Sequence, residues 1–121
     1  MQHNTKAEGV ASFNELYGAY KYRALRKNFA FELSIEEFKK LTSENCYYCN
    51  KIPSHKMHPG RYNGDYLYNS LDRIDNSKGY ILSNCITACG DCNNMRNTIL
   101  TVDEMKVAMQ AVIEYRNRKN N

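Results

Sequence analysis

The residues best suited to chemistry are two cysteine pairs, Cys46-Tyr47-Tyr48-Cys49 and Cys89-Gly90-Asp91-Cys92. A spacing of two residues lets one tight turn present both sulfurs to a single ion, and four thiolates together make a tetrahedral Zn2+ site. A pair of disulfides or buried free thiols is the competing reading. The opening Met1-Gln2-His3-Asn4-Thr5-Lys6 carries no apolar signal stretch, so a reducing, cytoplasmic compartment is expected and zinc is favoured. Cys85, set between Asn84 and Ile86, reads as a small buried hydrophobe rather than a ligand. Between the two pairs runs Leu71-Asp72-Arg73-Ile74-Asp75-Asn76-Ser77-Lys78-Gly79-Tyr80, followed by Asn84. The pattern implies a metal-built fold with a polar site inside it.

A chain of 121 residues accommodates one domain, 1–121, whose modest core gains much from a metal clip. Structural zinc contributes on the order of 10 kcal/mol of apparent binding energy, comparable to a whole domain's net stability. Around the knuckles the sequence lays out helices. Ser12 and Glu15 form a capping-box pattern, and Phe13, Leu16, Tyr17, Tyr20 and Ala24 recur at helical spacing, predicting a helix over about 13–28. Ser34 with Glu37 opens a second, short helix with Ile35, Phe38 and Leu41 facing inward. Residues 52–69 are rich in Pro, His, Gly, Asn and Tyr and read as loop. Tyr66 to Ile74 reads as a strand, Asn76 to Gly79 as its turn, and Tyr80-Ile81-Leu82 as the returning strand. A helix is expected around 93–99, and Thr101 with Glu104 starts another through Met105, Ala108, Met109, Val112 and Ile113. The layout is therefore N-terminal helices in 1–44, a knuckle-framed core in 45–100 and a C-terminal helix in 101–121.

Seventeen Lys and Arg against thirteen Asp and Glu give a net charge of +4, which favours an anionic partner. The bias concentrates at the ends. Lys6, Lys21, Arg23, Arg26 and Lys27 face only Glu8 and Glu15 in residues 1–31, and Arg116, Arg118 and Lys119 repeat the pattern at the other end. A solvated basic face explains such residues as readily as a phosphate grip. No apolar run approaches the roughly 20 residues that span a bilayer.

A hairpin followed by a helix, bracketed by the knuckles, resembles the HNH endonucleases, whose ββα-metal (His-Me finger) site sits on such a unit. In that family an Asp-His pair ends the first strand, an Asn lies on or after the second, and a His or Asn follows on the helix, often as C-x-x-C-N. The chain is similar to a subgroup found in phages and mobile elements from about Tyr20 to Met109. Lys21-Tyr22-Arg23-Ala24, Phe31-Glu32-Leu33-Ser34, Glu37-Phe38, the first knuckle, the Leu71 to Tyr80 string and Cys89-Gly90-Asp91-Cys92-Asn93 carry the likeness.

The resemblance implies an α+β fold, a zinc-stabilised ββα-metal hairpin and helix with flanking helices. It also implies metal-dependent hydrolysis of a DNA phosphodiester, by nicking or double-strand cleavage, in a cell hosting the phage. Asp72 and Asn93 are then the oxygen ligands of a catalytic divalent ion such as Mg2+, Asn84 holds the site in place, and Asn97, one turn past Asn93, faces the phosphate or ion. Cys46, Cys49, Cys89 and Cys92 hold the structural Zn2+. One position departs from the family. Arg73 stands where the catalytic His belongs, and a guanidinium cannot accept a proton near neutrality. Three explanations stay open: Arg73 clamps the scissile phosphate; Asp75, His55 or His58 supplies the base; or the chain is a zinc-stabilised DNA-binding module that does not cut. In a regular strand Asp72 and Arg73 point to opposite faces, so they share a site only at a twisted strand end.

Overall fold

The computed structural model describes residues 7–120; Lys6, counted above among the basic residues, lies outside them. The fold is mixed α+β. Helices α1 (Val10–Arg26) and α2 (Ile35–Thr42) lead to strand β1 (Ser70–Arg73), which pairs antiparallel with β2 (Cys85–Ala88). Helices α3 (Gly90–Arg96) and α4 (Val102–Lys119) complete the chain. The ladder is regular: Ser70 faces Ala88, Leu71 faces Thr87, Asp72 faces Ile86 and Arg73 faces Cys85.

The hairpin separates two cores because side chains alternate along a strand. Leu71 and Cys85 join Phe13, Leu16, Tyr20, Leu33 and Phe38 on the α1–α2 side. Phe38 is fully buried, with the rings of Tyr17, Tyr20 and Phe13 at 5.1, 5.3 and 5.9 Å around it. Opposite, Ala88 packs with Tyr48, Met105, Met109 and the knuckle cysteines. The free edge of β1 is sealed rather than left open: the Leu71 amide donates to Tyr20 Oη at 3.1 Å and its carbonyl accepts from Asn93 Nδ2 at 3.3 Å.

Ser34 and Thr101 are true caps, each in a reciprocal box with its glutamate. Other expectations are corrected. Ser12 does not cap α1, which begins earlier behind Gly9 at φ 85; Ser12 is buried and its hydroxyl accepts from the Tyr66 amide at 3.1 Å. Ile35 is 51% exposed while Phe38 and Leu41 turn inward, because the first turn of α2 overhangs the core. Ala108 is likewise exposed on α4.

The first strand is only Ser70–Arg73, and the returning strand is Cys85–Ala88 rather than Tyr80 to Leu82. Tyr80 instead makes a parallel bridge to Phe31 and packs edge-on against Tyr20 and tilted against Phe31, which pulls its segment toward α1. Gly79 permits this, since a Cβ there would fall on the backbone of Ala30. Residues 52–69 form no helix or ladder, only the isolated bridge between His55 and Tyr68. Among the described residues no helix is long and apolar enough to cross a membrane.

Candidate functional site

Each knuckle is delivered by a regular element: α2 leads into the first, and β2 runs into the second at the start of α3. The four Sγ atoms of Cys46, Cys49, Cys89 and Cys92 lie within 4.8 Å of one another, with Cys49 and Cys89 3.7 Å apart, and none is in a disulfide. Tetrahedral Zn–S bonds of 2.3 Å require a sulfur separation of about 3.8 Å, so this donor set fits zinc. Without an ion, burial and the crowded neighbouring thiols push Cys92 well up; burial also acts on Cys46, but amide donors from Cys89, Cys49 and Tyr48 outweigh it and lower that thiol.

On the same face, Asp72 is 3% exposed and engaged on both oxygens. Oδ1 accepts from Arg96 Nη1 at 2.5 Å and Oδ2 from Tyr48 Oη at 2.7 Å. Arg96, itself 3% exposed, also donates to the carbonyls of Arg73 and Ile74 and to that of Leu100, each at 2.9 Å. It ties α3, the end of β1 and the 98–100 turn into one knot. Burial and the hydrogen bond to Asp72 raise the Tyr48 hydroxyl, keeping it a donor. Neither Arg96 nor Tyr48 was singled out by sequence. Their signal was positional: Tyr48 lies inside the first knuckle, and Arg96 is one turn beyond Cys92, on the helix that must face the hairpin.

Arg73 points the other way. Its guanidinium lies over Phe29 at 4.1 Å and Tyr80 at 5.4 Å, and Nη1 donates to the carbonyls of Asn76 and Lys78, both at 2.9 Å. Nε and Nη2 have no protein acceptor among the described residues. Those two carbonyls belong to a loop that Asn84 organises. Buried Asn84 accepts from the Asp75 amide at 2.9 Å through Oδ1 and donates through Nδ2 to the carbonyls of Asp75 and Gly79 at 3.1 and 3.0 Å. Asn84 thus positions Arg73 through the loop.

Although Asp72 and Arg73 point to opposite faces, both reach one cleft at the end of the hairpin. Asp72, Arg73, Asn76, Asn93, Asn97 and Tyr80 are among the residues lining this space of about 270 Å³. Asn93 spends Nδ2 on the Leu71 carbonyl, and its Oδ1 takes no protein hydrogen bond among the described residues. Asn97 follows the last residue of α3 instead of continuing the helix, and sits at φ 48, a left-handed backbone for a non-glycine residue.

The alternative bases are elsewhere. His55 packs edge-on against Tyr68, and neither it nor His58 lines the cleft. Asp75 turns to the Ser77 hydroxyl and amide at 2.6 and 2.9 Å, bonds that hold its carboxyl below the usual range and weaken it as a base. Among the described residues, the four cysteines are the one group of three or more His, Cys, Asp or Glu side chains clustered closely enough to hold a metal.

No family model matches the chain. It is 40% identical over 102 residues to "Uncharacterized protein R423" of Acanthamoeba polyphaga mimivirus, covering 84% of this chain but spanning only 17% of that protein's length. Its fold is shared with the rare-cutting HNH restriction endonuclease PacI, at a TM-score of 0.67 and 20% identity over 89% of this chain and 81% of that one.

Proposed function

We propose that this chain is a metal-dependent HNH-type endonuclease that hydrolyses DNA phosphodiester bonds, acting on duplex DNA. The observation that carries this reading is the cleft in which Asp72, Arg73, Asn93 and Asn97 meet at the junction of β1 and α3. Arg73 offers Nε and Nη2 to phosphate oxygens, a planar fork held in place by stacking and by its Nη1 bonds. Asn84 keeps that fork aimed by fixing the loop beneath it. Asp72 and Asn93 are the residues that would hold a divalent ion, which when bound stabilises charge developing on the phosphoryl and leaving oxygens.

The donor set fits such an ion on two grounds. A carboxylate has about four acceptor positions, of which the two bonds to Asp72 occupy two, and ligating carboxylates are themselves commonly hydrogen-bonded from behind. The Asn93 Oδ1 is the second available oxygen. Among the described residues no histidine lines the cleft, and Arg73 is the cleft residue that binds and neutralises the phosphate.

A second reading is favoured by a specific observation. Among the described residues the one carboxylate lining the cleft, Asp72, is already paired with Arg96, an arrangement that suits a zinc-stabilised DNA-binding module without cleavage. Zinc-loaded protein incubated with supercoiled plasmid across Mg2+, Mn2+ and Ni2+ separates the two. Asp72→Ala alone is a poor control because it strands buried Arg96; Asn93→Ala, at a half-buried cleft position, leaves that pair intact. Metal-dependent nicking lost in Asn93→Ala supports the nuclease. Absence of cleavage with every metal, alongside salt-sensitive binding, supports the module.

A further inference from the structure

Beyond the cleft, the outward edge of α1 carries an apolar depression that the site does not use. Tyr22, Leu25, Phe29 and Phe31 line a space of about 320 Å³ with Lys21 on its rim. Tyr22 is 57% and Leu25 74% exposed, so these large side chains face solvent together rather than singly. The surroundings are cationic: residues 21–31 include Lys21, Arg23, Arg26 and Lys27 and no acidic side chain. The cations are held against rings, Arg26 over Tyr22 at 5.8 Å with a 3.1 Å bond to its hydroxyl, and Lys21 over Tyr17 at 5.3 Å. This ordering lowers the entropy lost when they grip a ligand.

The depression is also continuous with the cleft. Phe29 lines it and carries the Arg73 guanidinium at 4.1 Å, while Arg73 lines the cleft. A polyanion with flat apolar faces matches both the charge and the rings, and a ligand leaving the cleft past Arg73 meets this surface next. We infer that the outward edge of α1 is a flanking-nucleotide subsite of the DNA-binding surface. Lys21 and Arg26 take phosphates, and Tyr22, Leu25 and Phe29 take the apolar faces of the sugars between them. This rests on the DNA-directed reading above and extends the footprint from the cleft onto α1.

The test uses full-length, zinc-loaded protein and a fluorescein-labelled DNA oligonucleotide, read by anisotropy over a salt series without added divalent ion. Tyr22→Ala/Leu25→Ala removes exposed side chains and is expected to weaken binding about 10-fold. Lys21→Ala/Arg26→Ala is expected to flatten the slope of log affinity against log salt by about 1.8, the value for two phosphates. Arg73→Ala reports on the cleft separately. If Arg73→Ala weakens binding while both α1 double variants match wild type in affinity and slope, the subsite is refuted and the cleft reading stands. If the wild-type protein shows no salt-sensitive DNA binding, both fail together. Circular dichroism melts of the α1 variants, expected to match wild type, exclude unfolding as the cause of a loss.

Discussion

Removing Arg96 should be among the most damaging single changes the protein can suffer, although the residue is neither a knuckle cysteine nor an apolar member of either core. In Arg96→Met the Asp72 carboxylate, 3% exposed, loses its counter-charge and keeps only the Tyr48 hydroxyl. The carbonyls of Arg73, Ile74 and Leu100 lose their donor as well. Breaking a buried pair from one side costs about 3–5 kcal/mol, because the remaining charge is stranded. For a chain of this size a kilocalorie moves Tm by roughly 3–5 °C, so the melt of zinc-loaded protein should fall by roughly 10–25 °C. Asp72→Asn/Arg96→Met should recover part of the loss, since the amide retains the bond from Tyr48 without a charge to strand. Thermal melts followed by circular dichroism on the four members of this cycle give both numbers. A drop below about 1 kcal/mol in Arg96→Met, or strictly additive effects in the double variant, would refute the knot as a coupled buried pair.

Stripping zinc with a chelator should unfold at least the Cys46 to Cys92 region, because four buried or half-buried thiols lose a bond set contributing on the order of 10 kcal/mol; an unchanged melt after verified metal removal contradicts this. Arg73→His restores the imidazole of the family pattern but removes the stack on Phe29 and two loop bonds, so plasmid nicking should fall at least 10-fold if Arg73 has its own role; a gain in rate would mark the position as a vacated histidine site. Stability should also decline in alkali. Burial raises the Cys85 thiol from 9.0 to about 11, so in the unfolded chain it ionises first; its contribution is full below pH 9.0 and lost as pH rises through about 11. In urea titrations of zinc-loaded protein across that window, Cys85→Ala should show a shallower decline than wild type, and an identical slope would count against the assignment.

The parts of this fold legible in sequence are those set by local chemistry. The caps at Ser34 and Thr101 require only a hydroxyl and a glutamate three residues on, and the structure realises both. Ser12 shows the same pattern and fails because a tertiary demand, the unpaired amide of Tyr66, claims its hydroxyl. The hairpin was visible but its register was not. Tyr80-Ile81-Leu82 has the apolar character of a strand, yet Tyr80 is drawn to Phe31 and Tyr20 by ring packing between segments distant in sequence. The pattern offers Asp72, Arg73, Asn84 and Asn93 as candidates, whereas their hydrogen-bond partners cannot be read from it. Arg96 and Tyr48 become visible only when α3 and the first knuckle fold over the same face of β1.

That convergence bears on how the metal clip and the cleft are related. The first knuckle presents Tyr48 to Asp72, and the second leads directly into Asn93 and then Arg96. Three of the side chains that define or hold the cleft's Asp72 side are therefore within one helical turn of a cysteine. On the opposite face, the Arg73 guanidinium rests on none of these side chains, although Arg96 holds its backbone carbonyl. Its supports are Phe29, Tyr80 and the loop fixed by Asn84, with Tyr80 bridged to Phe31 and packed edge-on against Tyr20 of α1. The two neighbouring strand residues are thus held by different cores, and the regular ladder between them is what keeps their outer ends in one cleft. Loss of the ion would release the Asp72 half first, and the unfolding of the Cys46 to Cys92 region would then carry Arg73 with it. A protein stripped of zinc would then keep the basic residues of α1 but lose the cleft in which Asp72, Arg73 and Asn93 meet.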